Sequence, residues 1–145
     1  AAARHHLLPL PDVLVLSGDP QRAAIVTAVL RSAVGYQTDI KAAGSLGECL
    51  DLIAKQAPGL LIIDDVKVRP EWSPRGLAMT ALPVLRRFGF THPILVVAVS
   101  PSRERVQELL SEGASDIIDQ DDLLAVRLVG SLQLALVGEG APALV

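Results

Sequence analysis

The six residues Leu60-Leu61-Ile62-Ile63-Asp64-Asp65 constrain the fold more than any other stretch of the chain. Four bulky apolar side chains in succession cannot alternate between core and water, so a strand here must be covered on both faces, as in the middle of a parallel sheet. A carboxylate directly after such a strand is costly unless it is exposed, hydrogen-bonded or coordinated, and Asp64 therefore needs a reason to be there. Taken alone, Asp64 or Asp65 could equally do no more than cap a turn after the strand.

The rest of the chain supplies strands and helices in alternation. Asp12 to Leu16 reads as a first buried strand, and Asp19-Pro20 supplies an N-cap and first-turn proline for a helix that Gly35 ends. Gln37 to Ala42 is a weaker, less apolar strand, expected at the sheet edge. Ser45-Leu46-Gly47-Glu48 has the capping-box form, opening a second helix to about Gln56. After the central strand, Val66 to Arg75 reads as a long irregular connection before a helix from Gly76 to Phe88. Pro93 to Val99 is a fourth strand, Ser100-Pro101 a cap for a fourth helix that stops at Gly113, and Ser115 to Ile118 a fifth strand. A last helix runs from Asp121 to near Gly138, with two acidic residues at its positive end. This order predicts one α/β domain over residues 12–138, a doubly wound parallel sheet of five β–α units with right-handed crossovers, between tails at 1–11 and 139–145. Ligands of such sheets bind beyond the strand C-termini, here Ser17-Gly18-Asp19, Asp64-Asp65 and Ala98-Val99-Ser100.

Composition removes several function classes. With 145 residues, half of them apolar, the chain can bury a sizeable core. A net charge of −3, with no basic run or stripe interleaved with aromatics, argues against nucleic acid as a direct partner. Cys49 is the single cysteine, so neither an internal disulfide nor a CxxC pair can form, which fits a reducing cytosol. No apolar run approaches the roughly 20 residues that cross a bilayer, and the N-terminal stretch lacks a signal-peptide core. His5, His6 and His92 show no metal-ligand spacing, and Cys49 reads as a small core residue of the second helix. No nucleophile–base pair, glycine-rich phosphate loop or metal motif appears, so an independent catalytic activity is the least expected function.

Pro58-Gly59-Leu60-Leu61-Ile62-Ile63-Asp64 resembles the third strand and phospho-accepting aspartate of the receiver domains of two-component response regulators. Val13 to Leu16 leading to Asp19-Pro20, Pro93 to Val97, and Gly113-Ala114-Ser115-Asp116 are similar to that family's other landmarks, so the resemblance spans roughly residues 12–137. It implies the flavodoxin-like receiver fold, with Asp64 as phospho-acceptor candidate in a pocket that includes Ser17, Asp19, Asp65, Ala98 and Gln120. In the family the aspartate attacks a phosphorylated histidine or small phosphodonor while Mg²⁺ offsets charge on the transferring group.

At three of four positions the chain departs from the pattern. The paired acids after the first strand fall on Ser17 and Gly18, leaving Asp64 and Asp19 as the residual oxygen set for a cation. The hydroxyl residue that ends the fourth strand matches Ala98, with Ser100 two residues on, and the lysine that ends the fifth matches Gln120. The resemblance is therefore to a degenerate, pseudo-receiver variant that requires no cofactor. The connection after the third strand is also lengthened, Gly76 lying twelve residues after Asp64. Within it, Lys67, Arg69 and Arg75 could clamp an anionic nucleotide on Trp72, or the loop is simply solvated with Trp72 packed on a neighbouring helix. The last helix carries more apolar residues than one core-facing stripe requires, and the resemblance implies that this face makes a homodimer. Three functions follow: a pseudo-receiver regulating a host histidine kinase or response regulator through protein contacts, a receiver phosphorylated on Asp64, or a second-messenger sensor using the 67–75 loop.

Overall fold

A computed structural model describes residues 12–34, 38–65 and 76–122. Their elements alternate in chain order: β1 (Val13–Leu16), α1 (Pro20–Val34), β2 (Ile40–Ala43), α2 (Leu46–Lys55), β3 (Leu60–Asp64), α3 (Leu77–Arg87), β4 (Ile94–Ala98), α4 (Arg103–Ser111) and β5 (Asp116–Asp119), followed by a 3₁₀ turn over Gln120–Asp122. The five strands form one parallel sheet in the order β2-β1-β3-β4-β5. β3 is central, and all five of its residues are buried, as the unbroken apolar run demands. β2 lies at the edge, and its Lys41 and Ala42 are exposed, which is why that strand is the least apolar.

Strand periodicity sorts the core into two layers. On one face Leu14, Leu16, Leu61, Ile63, Ile94 and Val96 pack with Cys49 and Ile53 of α2, Leu82 and Leu85 of α3, and Leu109 of α4. On the other, Val13, Val15, Leu60, Ile62, Leu95 and Val97 pack with Val26 and Leu30 of α1. Residues 60 to 63 thus contribute to the two layers in turn, and this phase fixes where the two aspartates that follow must point.

Several boundaries shift from their sequence expectations. β2 starts at Ile40 rather than Gln37, because its pairing with β1 begins at Val13 opposite Ile40. β5 starts one residue later than expected, since Ser115 is used as a clasp: its N–H donates to Ile94 O at 2.7 Å and its hydroxyl accepts from Ile94 N at 3.0 Å. The cap of α4 is Ser102, whose hydroxyl accepts from Arg105 N at 3.1 Å, rather than Ser100-Pro101. Ser100 instead sits at a positive φ of 40° and donates its N–H to the Asp119 carboxylate. Ser45 caps α2 as expected, accepting from Glu48 N. Both tails, Gly35 and the last helix from residue 123 lie outside the described residues.

Cys49 is wholly buried in α2, and desolvation pushes its thiol up to about 11, because the thiolate would lose its hydration there. The native protein should therefore react with dithiobis-nitrobenzoate at pH 8 far more slowly than the urea-unfolded chain, which should release one thiol equivalent rapidly. A native rate matching the unfolded one would place Cys49 at the surface.

Candidate functional site

β3 delivers two aspartates to the C-terminal edge of the sheet, and the alternation of its side chains sends them to opposite layers. Asp64 continues the Leu60 and Ile62 phase and emerges on the α1 side; Asp65 continues the Leu61 and Ile63 phase and emerges on the α3 and α4 side. Each carboxylate meets an arginine.

Asp64 is only 1% exposed. Its Oδ2 accepts from Arg22 Nε at 2.8 Å and its Oδ1 from an Arg22 terminal nitrogen at 3.0 Å, so the guanidinium covers the whole carboxylate edge as a two-pronged fork. Oδ2 also lies 2.9 Å from the buried Ser17 hydroxyl, which is 3.1 Å from Asp19 O; the one hydroxyl proton has two acceptors within reach, and the charged one binds it more strongly. The Arg22 side chain is 24% exposed, so the pair closes the pocket at its mouth while the carboxylate lies beneath. The hydrogen bond to Asp64 is the main cause that raises the Arg22 pKa, opposed by desolvation and reinforced by the Asp64 charge, so Arg22 remains cationic at every accessible pH.

Arg22 occupies the first turn of α1, a turn with no acidic residue. A cation there opposes the helix macrodipole, and Asp64 across the β1–α1 turn offsets that cost. Asp19 serves the helix instead of a ligand site: its carboxylate accepts from Gln21 N at 2.9 Å.

Asp65 does a different job. Gly76, the residue before α3, has no side chain with which to cap the helix, and Asp65 does so from across space: Oδ1 accepts from Ala78 N at 2.9 Å. Oδ2 accepts from Arg105 of α4 at 2.8 Å, tying β3, α3 and α4 together. Gly76 is required for this arrangement, since its φ is 92° and a Cβ would come 2.6 Å from Asp65 Oδ1 and 2.5 Å from the Arg105 terminal nitrogen.

The remaining expected pocket residues contribute little chemistry. Ala98 ends β4, buried and without a donor, level with Asp119 in the β4–β5 register. Gln120 begins the 3₁₀ turn, where no cationic side chain is offered to Asp64. The exposed Ser100 donates its backbone N–H to Asp119. Lys67, Arg69, Trp72 and Arg75 lie outside the described residues.

The divalent cation that this fold suggests does not suit the described residues. Asp64 gives both oxygens to Arg22, Asp19 gives a carboxylate oxygen to its helix, and Ser17 adds one neutral oxygen, whereas a hard cation demands several oxygens around a near-octahedral centre. Among the described residues, no group of three His, Cys, Asp or Glu side chains could hold a metal ion. The carboxylate at the end of β3 has a guanidinium for its counter-ion. Sequence reasoning passed over Arg22 and Arg105, and took Gly76 only as the start of a helix. The signal for Arg22 was present, a cation in the first turn of a helix whose N-terminus faces the strand ends.

No protein-family model matches the chain, and neither does any curated protein. Solved structures do. It is 20% identical to the receiver domain of a Francisella response regulator, with a TM-score of 0.67 over 91% of this chain and 99% of that one. It is 18% identical to a LuxR-family two-component response regulator from Aurantimonas, with a TM-score of 0.71 over 89% and 86%. It is also 20% identical to a protein of Burkholderia pseudomallei described as pilus assembly-related, with a TM-score of 0.70 over 87% and 89%. The chain therefore has the five-stranded fold of response-regulator receiver domains. No helix among the described residues is long and apolar enough to cross a membrane.

Two sets of substitutions check the paired carboxylates. Arg22→Ala, which strands a buried charge, should destabilise the protein by about 3–5 kcal/mol in urea denaturation, and Arg22→Met/Asp64→Leu should recover most of that loss. Gly76→Ala should cost at least about 1–3 kcal/mol through its backbone conformation alone, more once the Asp65–Arg105 contact is displaced.

Proposed function

We propose that this chain is a receiver-like signalling module that transmits through protein contacts and does not accept a phosphoryl group, a pseudo-receiver acting on the protein to which it is joined or docks, such as a histidine kinase or an output domain. The observation that carries this reading is the two-pronged grip of Arg22 on Asp64, which occupies both oxygens of the carboxylate at the position where the fold places its phospho-acceptor. A carboxylate can attack phosphorus only through a free lone pair on the approach side, and here that edge faces a guanidinium that covers it.

Three further features support the same reading. Ser17 stands where an acid would hold a cation, Ala98 lacks the hydroxyl that would bind a phosphoryl oxygen, and Gln120 lacks the charge that would pair with it. Each loss weakens phosphoryl transfer separately, and together they leave a folded scaffold whose surface is what remains to be read. The module is accordingly a binding protein and no catalyst, working wherever its host works.

Amide NMR with beryllofluoride and Mg²⁺, which mimic a phosphoryl group on aspartate, tests this directly. The spectrum should stay unchanged around Ser17, Arg22 and Asp64 at reagent concentrations that saturate an ordinary receiver. Saturable shifts centred on Asp64 would establish a working phosphoryl pocket and overturn the proposal.

A further inference from the structure

We infer that the Arg22 guanidinium is a tethered replacement for a divalent cation: it neutralises Asp64 permanently and makes this strand end indifferent to Mg²⁺ in solution. This deepens the reading above and rests on it.

A carboxylate 1% exposed must be neutralised, by a proton, a metal or a basic side chain. Asp64 meets Arg22 at 2.8 and 3.0 Å on both oxygens, so the pair is already neutral and its hydrogen-bonding geometry complete. A divalent ion entering beside it would sit against a guanidinium with no second acid at hand among the described residues, because Ser17 is neutral and Asp19 is engaged with Gln21 N. Binding would require Arg22 to leave first, and the loss of its hydrogen bonds would be set against the gain of one carboxylate ligand.

The oxygens beneath the guanidinium are a thinner set than a hard cation takes. Asp64 Oδ2 and Asp19 O each lie within hydrogen-bonding distance of the Ser17 hydroxyl. What is missing is one negative charge and the absence of the local positive one. Arg22 differs from a dissolved ion in one decisive respect: being covalently attached, it cannot be removed by dilution or chelation, so the state it enforces at Asp64 is constant.

Melting temperature measured against Mn²⁺ and Mg²⁺ tests the inference in three proteins. The unsubstituted chain should melt at the same temperature in millimolar Mg²⁺, Mn²⁺ or EDTA. Ser17→Asp/Arg22→Ala, which supplies the acid and removes the guanidinium, should show a saturable rise with either cation, and Mn²⁺ should broaden amide signals from residues near 17–19 and 64. Arg22→Ala alone should show a smaller rise. A folded double variant indifferent to both cations would overturn the inference while leaving the proposed function intact, whereas beryllofluoride uptake by the unsubstituted protein would end both. If the double variant folds only with cation, that dependence is itself the expected result. If it fails to fold under any condition, the Arg22 Nε–H resonance of the unsubstituted protein decides: slow solvent exchange and a shift unmoved by Mg²⁺ are expected, and rapid exchange or a Mg²⁺-dependent shift would overturn the inference.

Discussion

A carboxylate buried at the end of the central strand cannot remain charged without a partner, and the arrangement around Asp64 follows from how that demand is met. Burial comes from the sheet. β3 is flanked by β1 and β4 and covered on both faces, so whatever side chain follows Ile63 in the α1 phase enters a space with little water. Arg22 reaches it from the first turn of α1, where a positive charge would otherwise oppose the helix dipole. Each group is thus badly placed alone and well placed with the other. Such a pair contributes less to net stability than its close geometry suggests, since both ions were stripped of solvent, but removing either partner exposes the whole desolvation cost of the other. The consequence is rigidity: α1 is tied to the strand ends by a contact that no solution component supplies.

Asp65 applies the same logic on the opposite face. A strand projects successive side chains to opposite sides, so two adjacent aspartates anchor two different layers, Asp64 holding α1 and Asp65 holding the start of α3 and the side of α4. Gly76 makes the second anchor possible by leaving space where any β-carbon would stand. The two ion pairs share a strand end, so a displacement of that end strains both layers, and none of the three helices can move relative to the sheet without breaking a charge-assisted hydrogen bond.

The architecture was legible in the sequence because it is written in periodicity. The apolar run at 60–63, the weaker strand at the edge and the helix caps at Asp19 and Ser45 each have a local cause, and the doubly wound parallel sheet follows from their alternation. Boundaries were less legible where a serine was used differently from its nearest precedent, as with Ser100, Ser102 and Ser115. The site was legible by subtraction only. The sequence displays what Ser17, Ala98 and Gln120 lack, yet the side chain that replaces the missing chemistry lies 42 residues from Asp64 and reaches it through a long, flexible stem. Nothing local to Arg22 names its partner except the unfavourable end of the helix on which it sits.

That asymmetry bears on what a buried acid at a strand end requires. Loss of ligands alone would leave Asp64 buried and uncompensated, a state that either raises its proton affinity or destabilises the sheet. An arginine within reach removes that problem and at the same time takes a lone pair on each carboxylate oxygen and covers the edge they share. The acid can then sit at the strand end for structural reasons, held by Arg22 and Ser17. An aspartate at the expected position in this fold is therefore weak evidence for phosphorylation; the informative observation is what its two oxygens touch.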